Sequence, residues 1–402
     1  MKTICFEKNI PKILLTKVAA KYAKPLLFTG INPIKFLKNL PDPPLPGPKW
    51  LRIKNTASGV CGTDLSFFKA TTAPDCALEP LPGSYRAFLG HECVGVVEEI
   101  GSGVTKFKEG DRVTLREYMQ CCGNKGIETP CRFCAEGNYC LCENYGESGP
   151  FELPDTGAGF GDYYIAPEQQ LSKIDERLSD DQAIMVEPTA VSLHTVLMAP
   201  PQKGDKVMVL GCGTIGLGVV QCLKLIQPDC EIWVMEKVKE KQEFALKLGA
   251  DHVLQGPPYE AVSKATDAKL YRGFGGNTML IGGFDMAYDC VGGGWSNTSC
   301  LRFLRARGTL VKIGHHMQGI TYDETPVWWQ ELKMVGIDAH GMETWKGKKM
   351  YTFDVVQELM AEGKYKIDGF ITHRFPLDRY KDAMRLMMKN PPELVKVVLD
   401  CN

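Results

Sequence analysis

The sequence predicts an α/β protein in which a β-rich region precedes a parallel sheet with helices on its faces, and three observations support this. Residues 1–188 are rich in Gly and Pro and contain short runs typical of strands. Residues 189–339 alternate strand patterns with helix patterns, which is typical of a doubly wound parallel sheet. Residues 340–402 hold two amphipathic helix patterns and an apolar end, which we expect to complete the first region.

The predicted elements follow one another in order along the chain. In the first region, "CVGVVEEIG" and "DRVTL" are strands. In the second, "KVMVLG" is a buried strand, "TIGLGVVQCLKLI" a helix, "EIWVMEK" a strand and "EKQEFALKLGA" a helix, followed by the strands "GFDMAYDCVG" and "GTLVKIG". In the last, "FDVVQELMAEGKY" and "LDRYKDAMRLMMKN" are helices before the apolar "VKVVLD".

Composition limits the function classes. The 402 residues suffice for two domains, and a net charge of -1 with 44% hydrophobic residues describes a soluble globular protein without the basic footprint of a nucleic-acid-binding protein. The start, "MKTICFEKNIPK", lacks the apolar core of a signal peptide, and no run has the length of a membrane span. We therefore expect a cytoplasmic protein, whose clustered cysteines bind metal or catalyse instead of forming disulfides.

A glycine motif predicts a dinucleotide site. "VMVLGCGTIGLG" places Gly211, Gly213 and Gly216 after a strand and at the opening of a helix. One glycine permits the tight turn, one lets the backbone approach a pyrophosphate, and one lets helix and strand pack closely. The first helical residues, Thr214 and Ile215, would present unpaired N–H groups to the phosphates.

The end of the next strand bears on the choice of cofactor. Glu236 follows about twenty residues after the glycines. Its carboxylate would accept hydrogen bonds from the adenosine ribose and repel a 2′-phosphate, which favours NAD over NADP. Lys237 and Lys239 could soften that discrimination, so NADP stays an alternative.

Three further segments combine a thiol, an imidazole and carboxylates, which is a mixed ligand set for a catalytic zinc. The segments are "SGVCGTDLSFF", "FLGHECVGVVEEIG" and "MVEPTAVSLHTV". Their candidate catalytic residues are Cys61, Thr63, Asp64, His91, Glu92 and Glu187.

With these motifs, the chain resembles the zinc-dependent medium-chain alcohol dehydrogenase family, in its sorbitol, threonine and glucose dehydrogenase-like branch. The resemblance runs from Pro46 to the C-terminus and includes "CGTD", "GHE", "EGDRV", "EP", "GCGTIG" and "ITHRFPLDRY". It implies a GroES-like catalytic domain (1–188) split around a Rossmann domain (189–339), with 340–402 returning to the first.

The resemblance also implies roles for the site residues. Cys61 and His91 would be zinc ligands, and Glu187 and Glu92 would either ligate the metal or lie just behind it. Asp64 would hold the His91 imidazole by a hydrogen bond.

In such enzymes, zinc lowers the pKa of a bound alcohol, whose carbon then gives a hydride to the nicotinamide. Thr63 would hydrogen-bond the substrate oxygen and pass its proton outward. Ser66 stands where relatives often carry a histidine, so the outer proton relay is expected to differ.

A cysteine-rich lobe, about residues 121–142, resembles the family's structural zinc lobe, which four thiolates hold. The fourth-ligand position of the family falls on Glu128, while "QCC" offers Cys121 or Cys122 upstream and Cys140 is also near. We predict Cys122; the alternative is a lobe of free thiols without metal. The other three ligands would be Cys131, Cys134 and Cys142.

The N-terminal segment 9–41, with six lysines and no acid, is longer than the family's usual opening. A surface hairpin or helix with solvated lysines is the favoured interpretation; a contact with an anionic membrane surface, a cover of the active-site cleft and a subunit contact are alternatives.

The substrate class stays open in the sequence. "EP" with His194 favours sugars, polyols or amino alcohols, while "DLSFF" and Trp328–Trp329 would suit a bulkier secondary alcohol unless those tryptophans pack in a core or at a subunit contact. A homo-oligomer, dimer or tetramer, is expected. The alternative functions are an NADP-dependent aldehyde or ketone reductase and a non-catalytic cofactor-binding scaffold.

Overall fold

The computed structural model describes residues 1–73, 76, 85–116, 121–147, 149 and 155–401. The chain divides into two compact units, of which the first contains residues 1–187 and 341–402 and the second residues 188–340. The predicted boundaries at 188/189 and 339/340 lie one residue away.

Strands and helices are numbered along the chain. The strands are β1 Thr3–Glu7, β2 Ile34–Leu37, β3 Trp50–Val60, β4 Arg86–Phe88, β5 Glu92–Ile100, β6 Arg112–Leu115, β7 Tyr163–Pro167, β8 Leu171–Lys173, β9 Lys206–Leu210, β10 Glu231–Met235, β11 His252–Val253, β12 Lys269–Arg272, β13 Thr278–Ile281, β14 Phe284–Asp289, β15 Leu304–Lys312, β16 Lys333–Gly336, β17 Met342–Trp345, β18 Lys348–Tyr351, β19 Ile371–Pro376 and β20 Lys396–Asp400. The α-helices are α1 Ile10–Tyr22, α2 Gly62–Lys69, α3 Cys122–Lys125, α4 Arg132–Glu136, α5 Asp180–Ile184, α6 Val186–Met198, α7 Thr214–Ile226, α8 Lys239–Lys247, α9 Pro258–Thr266, α10 Gly294–Phe303, α11 Thr325–Trp329, α12 Thr352–Ala361 and α13 Tyr380–Lys389.

The second unit is built on a six-stranded parallel sheet with the order β11-β10-β9-β14-β15-β16. The chain starts in the middle with β9, runs to one edge, and returns on the other side of β9 at β14. The apolar residues of β9 are buried without alternation, as expected for a strand covered on both faces. Ligands of such sheets bind beyond the carboxyl ends of the strands where the order reverses, which here is between β9 and β14.

The first unit is built on a seven-stranded sheet in which β20 lies between β19 and β3. The C-terminal strand pairs antiparallel with β3, with Val397 opposite Val60, so the last residues belong to the first unit's sheet. On its other side β3 pairs with β5, with Gly59 opposite Glu92. These pairings bring the ends of three strands together beside Cys61.

The N-terminal segment contains a helix, which was one of the two forms expected for it, together with a strand. After β1, which pairs with β2 and β4 in a separate three-stranded sheet, the chain forms α1 and a 3-10 helix, Lys24–Phe28. Ala19 and Leu27 of this segment are buried in one apolar cluster with Phe68 of α2. The search of the described residues for a helix long and apolar enough to cross a bilayer found none.

Candidate active site

One thiol, one imidazole and one carboxylate meet at the ends of β3 and β5. Cys61 follows β3 and caps the N-terminus of α2, His91 precedes β5, and Glu92 is the first residue of β5. Their ligand atoms all lie within 4.8 Å of one another. Sulfur, nitrogen and carboxylate oxygen in one cluster fit zinc, which accepts all three donors.

Two glycines make this approach sterically feasible. A Cβ on Gly59 would lie 2.0 Å from Glu92 Oε2, so only glycine leaves the carboxylate its place against β3. Gly90 has φ +88°, and a Cβ there would lie 2.5 Å from the ring of Phe160. Gly59 and Gly90 therefore leave the space that the side chains of the site occupy.

Asp64 joins the two ligand-bearing segments through their backbones. Its buried carboxylate accepts hydrogen bonds from the backbone N–H of Cys61 at 2.9 Å and from that of Gly90 at 3.3 Å. Burial raises the pKa of Asp64, while the nearby His91 opposes the shift. A carboxylate predicted to orient His91 thus also fixes the loop before it and the start of α2.

Lys396 contributes a charge that the sequence analysis did not single out. Its Nζ lies 2.6 Å and 2.5 Å from the two carboxylate oxygens of Glu92, and these side chains are only 4% and 2% exposed. Burial by itself would lower the pKa of Lys396, but the negative charges of Glu92, Cys61 and Glu187 outweigh it and raise the pKa. The available signal was a lysine inside the apolar strand "LVKVVL", where an unpaired charge would be costly.

The other predicted catalytic residues lie around this group. Thr63 Oγ1 is 3.6 Å from Cys61 Sγ. Glu187 is buried in the first turn of α6, but it does not join the three-residue group. The Ser66 hydroxyl donates to the carbonyl of Gly62 in its own helix, so its proton is already engaged.

The cysteine-rich lobe gathers four thiols. Cys122, Cys131, Cys134 and Cys142 have sulfur atoms within 4.8 Å of one another. Of the alternative fourth ligands, Cys121 is buried beside this group and its Sγ accepts a hydrogen bond from Gln170 at 3.0 Å, while Glu128 and Cys140 are outside it.

The acidities of these thiols suit a shared cation. Burial raises the pKa of Cys122, and burial together with the thiol of Cys134 raises that of Cys142. Burial would also raise the pKa of Cys131, but the backbone N–H groups of Cys134 and Glu143 outweigh it and lower the pKa to about 6. Four thiolates this close together would repel one another unless a positive ion lay between them, and a tetrahedral zinc would supply that charge.

The three glycines of the predicted dinucleotide site have different surroundings. Gly211 has φ +93°, which favours glycine at this turn. A Cβ on Gly216 would lie 1.8 Å from the carbonyl oxygen of Gly211, whereas a Cβ on Gly213, the N-cap of α7, would meet nothing within 4 Å. The space beside Gly213 is where a phosphate could approach the helix N-terminus formed by Thr214 and Ile215.

Glu236 links the end of β10 to the glycine turn. One carboxylate oxygen accepts from the N–H of Cys212 at 2.8 Å, and the other accepts from the N–H groups of Lys237 and Val238 at 2.7 and 3.0 Å. Lys237 Nζ lies 5.5 Å from the ring centroid of Trp295, which is exposed. Trp295 was not predicted as a site residue, because a single tryptophan after "VGGG" belongs to no recognisable motif.

Comparison with protein-family models finds two matches. Residues 47–176 match the alcohol dehydrogenase GroES-like domain, and residues 214–351 match the zinc-binding dehydrogenase family. The first range contains both candidate metal groups, and the second begins at α7, the helix that follows the glycine turn.

Several of the similar proteins are named dehydrogenases. The chain is 27% identical to a sorbitol dehydrogenase of Arabidopsis thaliana over 86% of each chain, and 29% identical to an L-threonine 3-dehydrogenase of Pyrococcus horikoshii over 86% of this chain and 90% of that one. Among solved structures, the 2R,3R-butanediol dehydrogenase from Bacillus subtilis superposes with a TM-score of 0.71 at 26% identity, covering 92% of this chain and 96% of the other. These matches confirm the predicted fold class.

Proposed function

The chain belongs to the zinc-dependent medium-chain alcohol dehydrogenase family, and from that premise we propose that it transfers a hydride between a secondary alcohol of the polyol or amino-alcohol type and NAD. The observation that carries the proposal is the group formed by Cys61, His91 and Glu92 within 4.8 Å. Reductases of the same fold without metal have no need of such a ligand set.

Zinc, held by Cys61 and His91 with Glu92 or Glu187 as the acidic partner, would supply the Lewis acidity that makes an alcohol oxygen anionic near neutral pH. Thr63, beside the Cys61 sulfur, would bind the substrate hydroxyl and carry its proton away. Asp64 keeps the two ligand-bearing segments in register, and Lys396 balances the negative charge of Glu92.

The substrate class follows from what the relatives' names have in common. Sorbitol, threonine and butanediol each carry a secondary hydroxyl next to a carbon that bears another polar group. We therefore propose a vicinal diol or a vicinal amino alcohol as substrate, with oxidation to the corresponding ketone. His194, on α6, is the residue that first favoured this class in the sequence.

NAD is the proposed cofactor because Glu236 stands at the end of β10 with a carboxylate that a 2′-phosphate would meet as a like charge. Lys237 offers the nearest opposing charge, but its Nζ is placed over Trp295.

We further propose a homo-oligomer in the reducing cytosol. Trp328 and Trp329, expected in a core or at a subunit contact, are exposed in this chain beside the edge strand β16, which supports a contact instead of a core. No disulfide joins any of the sixteen cysteines, all of which lie in the described part of the chain, and this suits a reducing compartment.

A panel of secondary alcohols tests the function. NAD reduction, followed by NADH absorbance, should be fastest with vicinal diols or amino alcohols and should fall on treatment with a zinc chelator. Cys61→Ser should remove turnover and one of about two zinc ions per chain while leaving NADH binding intact. Cys140→Ser is the matched control, because Cys140 lies outside both candidate metal groups. Full activity of Cys61→Ser would refute the proposal.

A further inference from the structure

Helix α1 has apolar residues on two opposite sides. Its inner side packs into the core cluster of the first unit through Ala19, with Ile13 and Ala20 beside it and Thr16 fully buried. The helix is tied in place by Lys17 Nζ, which donates to the carbonyl of Thr72. The inner side of α1 is therefore sufficient to pack the helix onto the first unit.

The outer side of α1 contacts nothing in the described part of the chain that buries it. Its large apolar side chains are between 55% and 74% exposed. At 3.6 residues per turn they span an arc of about 140°. We call this surface the α1 outer face, and its residues are Ile10, Leu14, Leu15, Val18 and Tyr22.

The α1 outer face lies in a segment whose charges are all positive. Between Glu7 and Asp42 the chain has seven lysines and no acid. Lys12 and Lys21 stand on α1 itself, and Lys24 follows it. A helix with lysines at the borders of an exposed apolar stripe has the composition of helices that lie in a membrane interface.

Some of the lysines of this region lie near other lysines. The neighbouring amino group of Lys12, together with burial, lowers the pKa of Lys35, while the charge of Glu7 opposes the shift. Burial lowers the pKa of Lys69, and the charge of Lys24 adds to the effect. Positive charge brought together at a surface is relieved when an anionic partner binds there.

We propose that the α1 outer face binds the surface of an anionic lipid bilayer. The apolar side chains would enter the interface between headgroups and acyl chains, and the lysines would contact the anionic headgroups. A second copy of the chain fits less well, because an isologous contact would place one set of lysines against the other. A neutral apolar partner would leave the lysines unused.

Vesicle sedimentation of the full-length protein tests this proposal. The protein should sediment with vesicles of phosphatidylcholine and phosphatidylserine, should stay in solution with phosphatidylcholine alone, and should dissociate at high salt. Leu14→Ser/Val18→Ser/Tyr22→Ser should weaken binding about tenfold or more, because the apolar insertion is lost. Lys21→Gln/Lys24→Gln should weaken it about 25-fold, at about fivefold for each lysine near an anionic surface.

Phe274→Ser is the matched control, because Phe274 is fully exposed on the second unit and lies far from α1 in sequence. It should bind vesicles as the native protein does. Far-ultraviolet circular dichroism and turnover in solution show that each variant is folded.

Three results would overturn the proposal. The first is equal binding to neutral and anionic vesicles, and the second is anionic binding that the serine variant retains. The third is no binding to anionic vesicles; a lower molecular mass of the serine variant in light scattering would then assign the α1 outer face to a second copy.

Discussion

The buried pair formed by Lys396 and Glu92 gives the sharpest test of the site's electrostatics. Both side chains are almost completely buried, at 4% and 2% exposure, and Nζ contacts both carboxylate oxygens. Lys396→Met removes the positive charge and leaves a buried carboxylate unpaired. Breaking such a pair costs about 3–5 kcal/mol of unfolding free energy.

For a unit of this size, about 2–4 °C of melting temperature corresponds to each kcal/mol, so the first unit should melt about 6–20 °C lower. Differential scanning calorimetry of the metal-free protein measures the shift, so that zinc beside Glu92 neither offsets it nor adds to it. Glu92→Gln/Lys396→Met should recover most of the loss, because neither buried charge remains. Lys173→Met is the control: Lys173 pairs with Asp111 at 2.8 Å but is 49% exposed, so about 1 kcal/mol or less is expected.

The reasoning about Lys396 would be refuted by either of two results. An unchanged melting temperature of Lys396→Met would mean that Glu92 finds another positive partner or water. A double variant as unstable as Lys396→Met would mean that lost packing, and not lost charge, causes the effect.

Four other predictions concern the rest of the site and the fold. Glu236→Ser should raise the KM for NAD about 10–100-fold and change the KM for NADP much less, since hydrogen bonds to a charged group contribute about 1.5–3 kcal/mol. Unaltered kinetics with both cofactors would contradict the assignment of Glu236 as the residue that favours NAD. Gly216→Ala should destabilise the second unit by about 1–3 kcal/mol, because its Cβ would lie 1.8 Å from the Gly211 carbonyl oxygen. Gly213→Ala should instead leave the melting temperature unchanged and abolish NADH binding, which fluorescence titration measures. Cys122→Ser should lower the zinc content of the chain from about two ions to about one in elemental analysis, with the remaining ion at the catalytic group, and an unchanged zinc content would argue against the lobe site. Asp111→Asn should destabilise the protein at neutral pH but not at acid pH, which denaturation at a series of pH values measures. Burial would raise the pKa of Asp111, but the Lys173 amino group outweighs burial and lowers this pKa below its ordinary value. The stabilisation is therefore present above the ordinary pKa and is lost as the pH falls through the lowered pKa.

Local patterns predicted the elements of the second unit well. The helix pattern "TIGLGVVQCLKLI" coincides with α7, Thr214–Ile226, and "KVMVLG" contains β9. Both are specified by residues close in sequence: a continuous apolar run for a strand covered on both faces and a helical period for the helix on it.

The hairpin of β12 and β13 was not predicted. Its strands have four residues each and lack a clean apolar alternation, so the only signal was the glycine pair of the tip "GFGG". The α1 outer face was also not predicted, because a helix with apolar residues on both sides gives no single amphipathic stripe.

The candidate ligands were recognisable in the sequence because their residue types have few other uses in that combination. Cys61 with His91, and the spacing of Cys131, Cys134 and Cys142, indicated metal chemistry before any geometry was known. The arrangement of carboxylates at the catalytic group was not recognisable. Glu92 and Glu187 look alike in sequence, and only the structure places Glu92 in the group with Cys61 and His91.

The sequence by itself determined the alternation of strands and helices around the glycine turn and the residue types of the candidate metal ligands, because each can be recognised from patterns a few residues long. The tertiary structure decided which charges meet: Lys396 and Glu92 are 304 positions apart and come together only because β20 pairs with β3 and β3 with β5. Strand register sets such distances, and register depends on the packing of the whole sheet, which no local pattern encodes.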